Sequence, residues 1–220
     1  MKSFILRSNH KPSDETLQRL SELKDEDIVY DEDSPMLTPE MRNSVMTTKA
    51  TTYTIKDLEK LPEGSRAELI SGKIYMMDSP SRLHQGIVSG VLTAINNYIR
   101  ENKESFEAYP APFAVRLNAD DSTYLEPDIS VICDTSKLDD NGCNGAPDWI
   151  IEVTSPTSIE QDYYRKLMLY LSAGVQEYWV INPMEEKVNV YSSQFRIYSF
   201  EEDIPVGINP GMHLRIKNLI

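Results

Sequence analysis

The stretch Trp149-Ile150-Ile151-Glu152-Val153-Thr154 constrains this chain more than any other. A short, nearly all-apolar run of this kind predicts a central strand covered on both faces. Such a strand needs layers above and below it, and the flanking sequence supplies helices. Ile87, Val91, Leu92, Ile95, Tyr98 and Ile99 recur at helical spacing and predict a long helix from about Ser81 to Glu101. A second helix is expected from Thr157 to Ala173, opened by a Thr157-x-x-Glu160 capping box and closed at Gly174. Thr54–Leu58 reads as a short capped helix. Ala67–Ile70 and Lys73–Met77 flank a Ser71-Gly72 turn and predict a hairpin; Glu177–Ile181 and Lys187–Tyr191 predict another through Asn182-Pro183. Tyr109–Leu117, Tyr124–Cys133, Phe195–Phe200 and His213–Ile216 read as further strands, and Thr135–Pro147 as a loop. The fold class expected is α/β, a central mixed sheet flanked by helices.

Residues 1–49 differ from this pattern and read as a polar, acidic N-terminal extension to a domain at 50–220. Leu17, Leu20 and Leu23 place a thin apolar stripe on a short helix from about Asp14 to Lys24, too narrow to hold alone. The extension is expected to be a loose arm or a docking element for a partner or a second subunit. Cys133 and Cys143 lack the further ligands a zinc site needs and read as free thiols of a reducing compartment. Phe4-Ile5-Leu6 is too short for the core of a signal peptide, and no run approaches the roughly 20 apolar residues of a membrane span. A soluble, cytoplasmic protein is expected.

Within the predicted core strand, Glu152 is the anomaly. A buried, unpaired carboxylate costs several kcal/mol unless a cation or a proton compensates it. Asp128, in Leu125-Glu126-Pro127-Asp128-Ile129, shares a strand face with Glu126 and Ser130, and Glu152 shares one with Ile150 and Thr154. If the two strands are neighbours, Asp128 and Glu152 converge and offer the hard oxygens that Mg²⁺ prefers, with Mn²⁺ as a substitute. Such an ion activates water and stabilises charge on a phosphate. Lys166 is the expected cation, fourteen residues after Glu152, on a helical face it shares with Asp162 and Tyr170. Glu68 is a further acid, beside Arg66, and His84 could bind phosphate or carry a proton. Each of these residues also has an ordinary structural use, and it is their combined spacing that points to a site.

These residues resemble a known family. Glu126-Pro127-Asp128-Ile129-Ser130-Val131, then Gly145 through Ser158, then Asp162-x-x-x-Lys166-x-x-x-Tyr170 and Ala173 through Pro183 are similar to the Uma-two family, labelled restriction endonucleases, within the PD-(D/E)xK nuclease superfamily. Ala67–Ile74, Ser79-Pro80-Ser81 and His84 look like its N-terminal motif, so the resemblance covers about residues 51–220. It implies the restriction-endonuclease-like fold, metal held by Asp128 and Glu152, and Glu68 as a third acid. It implies Mg²⁺-dependent cleavage of DNA, with Asp162, Tyr170 and Thr154 around the catalytic groups. Thr154 stands where the superfamily pattern has its lysine, so Lys166 has to supply that cation from the helix. A homodimer suits the fold.

The net charge of −13 opposes a DNA substrate, because phosphate contacts dominate DNA affinity. Lys73, Arg82, Arg100, Lys103, Arg116, Arg165 and Lys166 could offset it only by lining one cleft. Two alternatives therefore stand beside the endonuclease. One is a catalytically idle nucleic-acid-binding or assembly protein on a nuclease fold. The other is a metal-dependent hydrolase of a smaller phosphoester.

Overall fold

The computed structural model describes residues 52–117, 121–159 and 161–220. The extension at 1–49, with its leucine-striped helix, lies outside the described residues.

Thr54 caps a four-residue helix, α1 (Ile55–Leu58), through a reciprocal bond with Asp57. The hairpin β1 (Ala67–Ile70) and β2 (Lys73–Met76) follows, and its turn residues Ser71 and Gly72 both have positive φ, 48° and 77°. That pairing of dihedrals matches the twist of the two strands it joins. Next comes α2 (Arg82–Asn102), whose first turn is held by Ser81 Oγ accepting from the His84 N–H at 3.1 Å. Its buried face is Ile87, Val88, Val91 and Ile95.

The expected strand at Tyr109–Leu117 divides into β3 (Glu107–Pro110) and β4 (Val115–Arg116). Pro110 and Pro112 lack the N–H a continuing ladder requires. The expected strand at Tyr124–Cys133 is likewise shorter: β5 is Ile129–Ile132, and Pro127 breaks the run. Tyr124 and Leu125 keep only single bridges, to Leu69 and Val115. Thr135–Pro147 is not plain loop. It holds a 3₁₀ turn at Thr135–Lys137 and two short strands, β6 (Leu138–Asp139) and β7 (Gly142–Asn144), which join β4 in a small sheet. Gly142, at φ 128°, lets this segment press onto the Ala114 carbonyl, which accepts from Cys143 N–H at 2.8 Å.

The central strand β8 (Trp149–Val153) is buried along its whole length. The second helix begins later than expected. A π-helical stretch, Gln161–Lys166, leads into α3 (Leu167–Ala173), which ends on Gly174 at φ 100°. Glu160 of the expected capping box lies outside the described residues. The remaining strands are β9 (Glu177–Asn182), β10 (Lys187–Tyr191) and β11 (Phe195–Ser199), then a small ladder of β12 (Ile204–Pro205) and β13 (His213–Leu214). The expected strand at the chain end therefore keeps two residues, and Ile216–Asn218 forms a 3₁₀ turn.

The main sheet runs β11-β10-β9-β8-β5-β3. Only β8 and β9 are parallel within it, so the sheet is mixed. One face packs Ile151 and Val153 against Ile87, Val91 and Ile95 of α2. The other packs Ile150, Tyr178 and Val180 against Tyr170 of α3. This two-sided cover is why β8 tolerates no polar residue that lacks a partner. Among the described residues no helix is long and apolar enough to cross a membrane.

Gly90 shows how tightly α2 is seated. A Cβ there would collide with the backbone carbonyl of Leu219. Gly→Ala on an open helix face gains about 1 kcal/mol. Gly90→Ala should instead lose about 1–3 kcal/mol, as overpacking does. Urea unfolding of the two proteins checks the sign, and a gain in stability would mean the last residues do not pack on α2 as described.

Candidate active site

Register brings the two acids together. Ile129 pairs with Ile151 in the antiparallel ladder of β5 and β8, so Asp128 lies opposite Glu152 one step further on. Asp128 Oδ2 accepts from the Val153 N–H at 2.8 Å and contacts His84 Nε2 at 3.1 Å. Both bonds fall on Oδ2, which leaves Oδ1 as a lone-pair donor. Glu152 is buried, 4 % exposed, on the same face as Ile150. Its Oε1 accepts from Lys166 Nζ at 2.9 Å and from the Tyr170 hydroxyl at 3.0 Å, while Oε2 has only a long 3.4 Å contact with Asp128 N–H.

Lys166 reaches the cluster from the π-helical stretch. Its ammonium lies 2.9 Å from Glu68 Oε2, 2.9 Å from Glu152 and 3.7 Å from Asp162 Oδ1. Asp162, Lys166 and Tyr170 do share a face, as their spacing predicts, although Asp162 and Lys166 sit in π-helical rather than α-helical backbone. Glu68, on β1, also accepts from Glu126 N–H at 3.1 Å. Arg66, beside it in sequence, pairs instead with Glu126 at 2.7 Å. Thr154 reaches the acids only indirectly: its hydroxyl bonds Ser158 Oγ at 3.2 Å, which in turn bonds Asp162, and also lies 3.3 Å from Ser155 O.

Two contributors were not singled out from sequence. Ser158 Oγ donates to Asp162 Oδ2 at 2.6 Å, and the Tyr178 hydroxyl donates to the Asp162 carbonyl at 2.9 Å. Ser158 precedes Asp162 by four, a spacing that carries a signal; the contact of Tyr178 depends on tertiary packing and carries none.

The electrostatics follow from burial and excess negative charge. Burial, together with Asp162, Asp128 and Glu68, pushes Glu152 well above the usual glutamate range despite Lys166. Burial raises Asp162 as well. Burial works against the Lys166 ammonium, but Glu152, Glu68 and Asp162 outweigh it and hold the lysine well above its ordinary value. Burial also opposes charge on His84, and the bond with Asp128 more than offsets it, so its pKa is raised. His84 Nδ1 is buried without a hydrogen-bond partner.

These groups lie in a cavity of about 690 Å³ that opens between α2, the β1–β2 hairpin and the Thr154–Ser158 segment. Among the described residues its carboxylates are Glu68, Asp78, Asp128, Glu152 and Asp162, and its Lys and Arg side chains are Arg66 and Lys166, both already paired with acids. Of the other basic residues noted in the sequence, Lys73, Arg82, Arg100, Lys103 and Arg116 do not line it, and Arg165 bonds the hydroxyl of Tyr75, one of its lining residues.

Among the described residues no three His, Cys, Asp or Glu side chains form a ready-made metal cage. Mg²⁺ does not need one, since it usually keeps several waters and takes one or two carboxylates. The donor set here fits that requirement: adjacent hard oxygens on Asp128 and Glu152, in a pocket with more acids than cations.

Comparisons with known proteins point to a nuclease family. The family model Uma2, described as "Putative restriction endonuclease", matches residues 55–208. Among solved structures the chain is similar to one from Anabaena variabilis, described as "a putative nuclease belonging to DUF820". The two are 28 % identical with a TM-score of 0.63, over 76 % of this chain and 96 % of that one. No curated protein matches the chain.

Proposed function

The chain belongs to the Uma2 family, and from that membership and the buried acids around Lys166 we propose a Mg²⁺-dependent endonuclease that hydrolyses DNA phosphodiester bonds. The observation that carries this reading is the surplus of buried carboxylate. Glu68, Glu152 and Asp162 share one ammonium, with Asp128 adjoining. Buried charge this unbalanced is costly unless a proton or a second cation joins it. Asp128 and Glu152 would hold Mg²⁺, or Mn²⁺ in its place. When bound, that ion supplies a water of lowered pKa and offsets charge on the phosphate.

The chain's own residues do the rest. Tyr170 and Lys166 fix Glu152 Oε1, which leaves Oε2 turned toward Asp128. Lys166 carries positive charge beside the place where phosphate charge develops, and Glu68 and Asp162 hold it there. His84, which bonds Asp128 through Nε2, would in this reading carry a proton to or from the reacting groups.

Supercoiled and single-stranded DNA incubated with Mg²⁺, Mn²⁺ or EDTA, beside Asp128→Asn, tests this reading. Cleavage should require the metal and vanish in the variant. Equal cleavage in EDTA or by Asp128→Asn would sink the metal-dependent mechanism. One observation favours a second reading. Among the described residues the Lys and Arg side chains lining the cavity, Arg66 and Lys166, are both paired with acids, so they offer no free basic track for a long polyanion. A smaller phosphoester needs no such track, and a bis(p-nitrophenyl) phosphate and nucleotide panel run alongside separates the two.

A further inference from the structure

The lining of the cavity changes character with depth. At its floor Glu68, Glu152, Asp162 and Lys166 are all buried. At its mouth stand large apolar side chains that folding leaves open to water. Met76 on β2 is 60 % exposed, Leu83 in the first turn of α2 is 46 % exposed, and Met184, just past β9, is 53 % exposed. Three separate elements thus turn apolar surface to one opening. Exposed apolar residues scattered singly need no explanation, but gathered at a concave opening they mark a ligand.

The charges of the same lining are unsuited to a row of phosphates. Asp78 is part of it and accepts from the Thr157 hydroxyl at 3.2 Å. Among the described residues its Lys and Arg side chains, Arg66 and Lys166, are already engaged by Glu126 and by the buried acids. A phosphate to either side of the reacting one therefore finds carboxylate rather than a free ammonium or guanidinium. A flat, uncharged surface fits better. Methionine is unbranched and polarisable, and its sulfur makes favourable contacts with aromatic rings. The amides of Gln85 and Gln161, also in the lining, are neutral groups able to bond the edge of a ring.

These demands separate the forms of DNA. A duplex stacks its bases inside and turns its phosphates outward, so it would bring charge to an acidic wall and leave the methionines uncovered. An unpaired strand carries the weaker counterion atmosphere, and its bases are free to lie on protein. A cavity of about 690 Å³ is of the size that encloses a small ligand, and its buried floor is reached only by a chain thin enough to enter. Resting on the nuclease reading of that floor, we propose that the site takes unpaired DNA, with the bases that flank the reacting phosphate seated on Met76, Leu83 and Met184.

The test uses fluorescein-labelled oligonucleotides and the full chain, with Ca²⁺ in place of Mg²⁺. Fluorescence anisotropy should show a single strand bound at least about tenfold more tightly than the same sequence as a duplex. Raising salt from about 50 to 200 mM should weaken that binding by less than about tenfold, the mark of one or two phosphate contacts. A strand of abasic sites keeps the phosphates and should lose the binding. Met76→Ser combined with Met184→Ser should weaken it at least about tenfold with an unchanged melting temperature. Duplex bound as tightly, an abasic strand bound as well as the normal one, a steeper salt dependence, or a double variant with full affinity overturns the proposal. So does the lack of any binding. Cleavage with Mg²⁺ is scored separately. Metal-dependent cutting of strand and duplex at equal rates keeps the nuclease and overturns the unpaired-strand assignment. Base-dependent binding without any cutting overturns the nuclease and keeps the mouth as a seat for bases.

Discussion

Lys166→Met should strip the site of its cation, lower stability by about 3–5 kcal/mol near neutral pH and abolish activity. Lys166 is 4 % exposed, and its ammonium lies within 4 Å of Glu68, Glu152 and Asp162. Methionine fills much of the same volume without the charge, so the loss is electrostatic rather than a cavity. The pH dependence gives the prediction its distinguishing mark. Glu152 and Asp162 already have pKa values raised above 4.5 and 3.8, and without the lysine they should rise further. A carboxyl with a raised folded pKa binds its proton more readily in the folded state. Its stabilising protonation is therefore complete below the unfolded value and is lost as pH climbs through the folded one. The variant should be least stable at alkaline pH and recover as pH falls toward about 4.5. Mg²⁺ should also raise its melting temperature more than that of the wild type, by replacing the missing charge. Urea titrations at several pH values, with and without Mg²⁺, check both. A deficit that does not vary with pH would mean that lost packing, not unbalanced carboxylate, is responsible.

What could be read from the sequence divides along physical lines. Long periodic elements were legible because their side chains announce the layer they face. The helix at Arg82–Asn102, the core strand at Trp149–Val153 and the Glu177–Tyr191 hairpin all appear near their expected bounds. The pairs β4–β7 and β6–β7 were not legible, because strands of two or three residues exist only through tertiary partners. The π-helical start of the second helix was likewise hidden, since nothing in the residue spacing separates it from α-helix. Within the site, Glu152 could be found because a charge in an apolar run demands an explanation. Lys166 and Tyr170 followed from helical spacing. Thr154 lies one residue past the end of the strand, and its hydroxyl joins the cluster through Ser158 rather than by direct contact with Glu152. The link from Arg66 to Glu126 spans 60 residues and left no local trace.

Glu152→Gln separates the chemistry from the scaffold. Glutamine keeps the shape and can still accept through its carbonyl from the Tyr170 hydroxyl at the Oε1 position. Lys166 keeps Glu68 and Asp162 as counterions. Removing a carboxylate that burial already disfavours should leave stability within about 1 kcal/mol of wild type, or raise it slightly, because one charge fewer is desolvated. Metal affinity should fall because one of the two hard anionic donors becomes neutral. Loss of that donor should cut cleavage at least about a thousandfold, equivalent to about 4 kcal/mol of transition-state stabilisation. Titration calorimetry with Mg²⁺, a melting curve and the DNA assay together decide the matter. Retained cleavage in a folded Glu152→Gln protein would remove Glu152 from the chemistry. Parallel loss of fold and activity would make it a structural counterion of Lys166. Only a stable protein with weakened Mg²⁺ binding and no cleavage fits a carboxylate that is kept in the core of the sheet for the metal it holds.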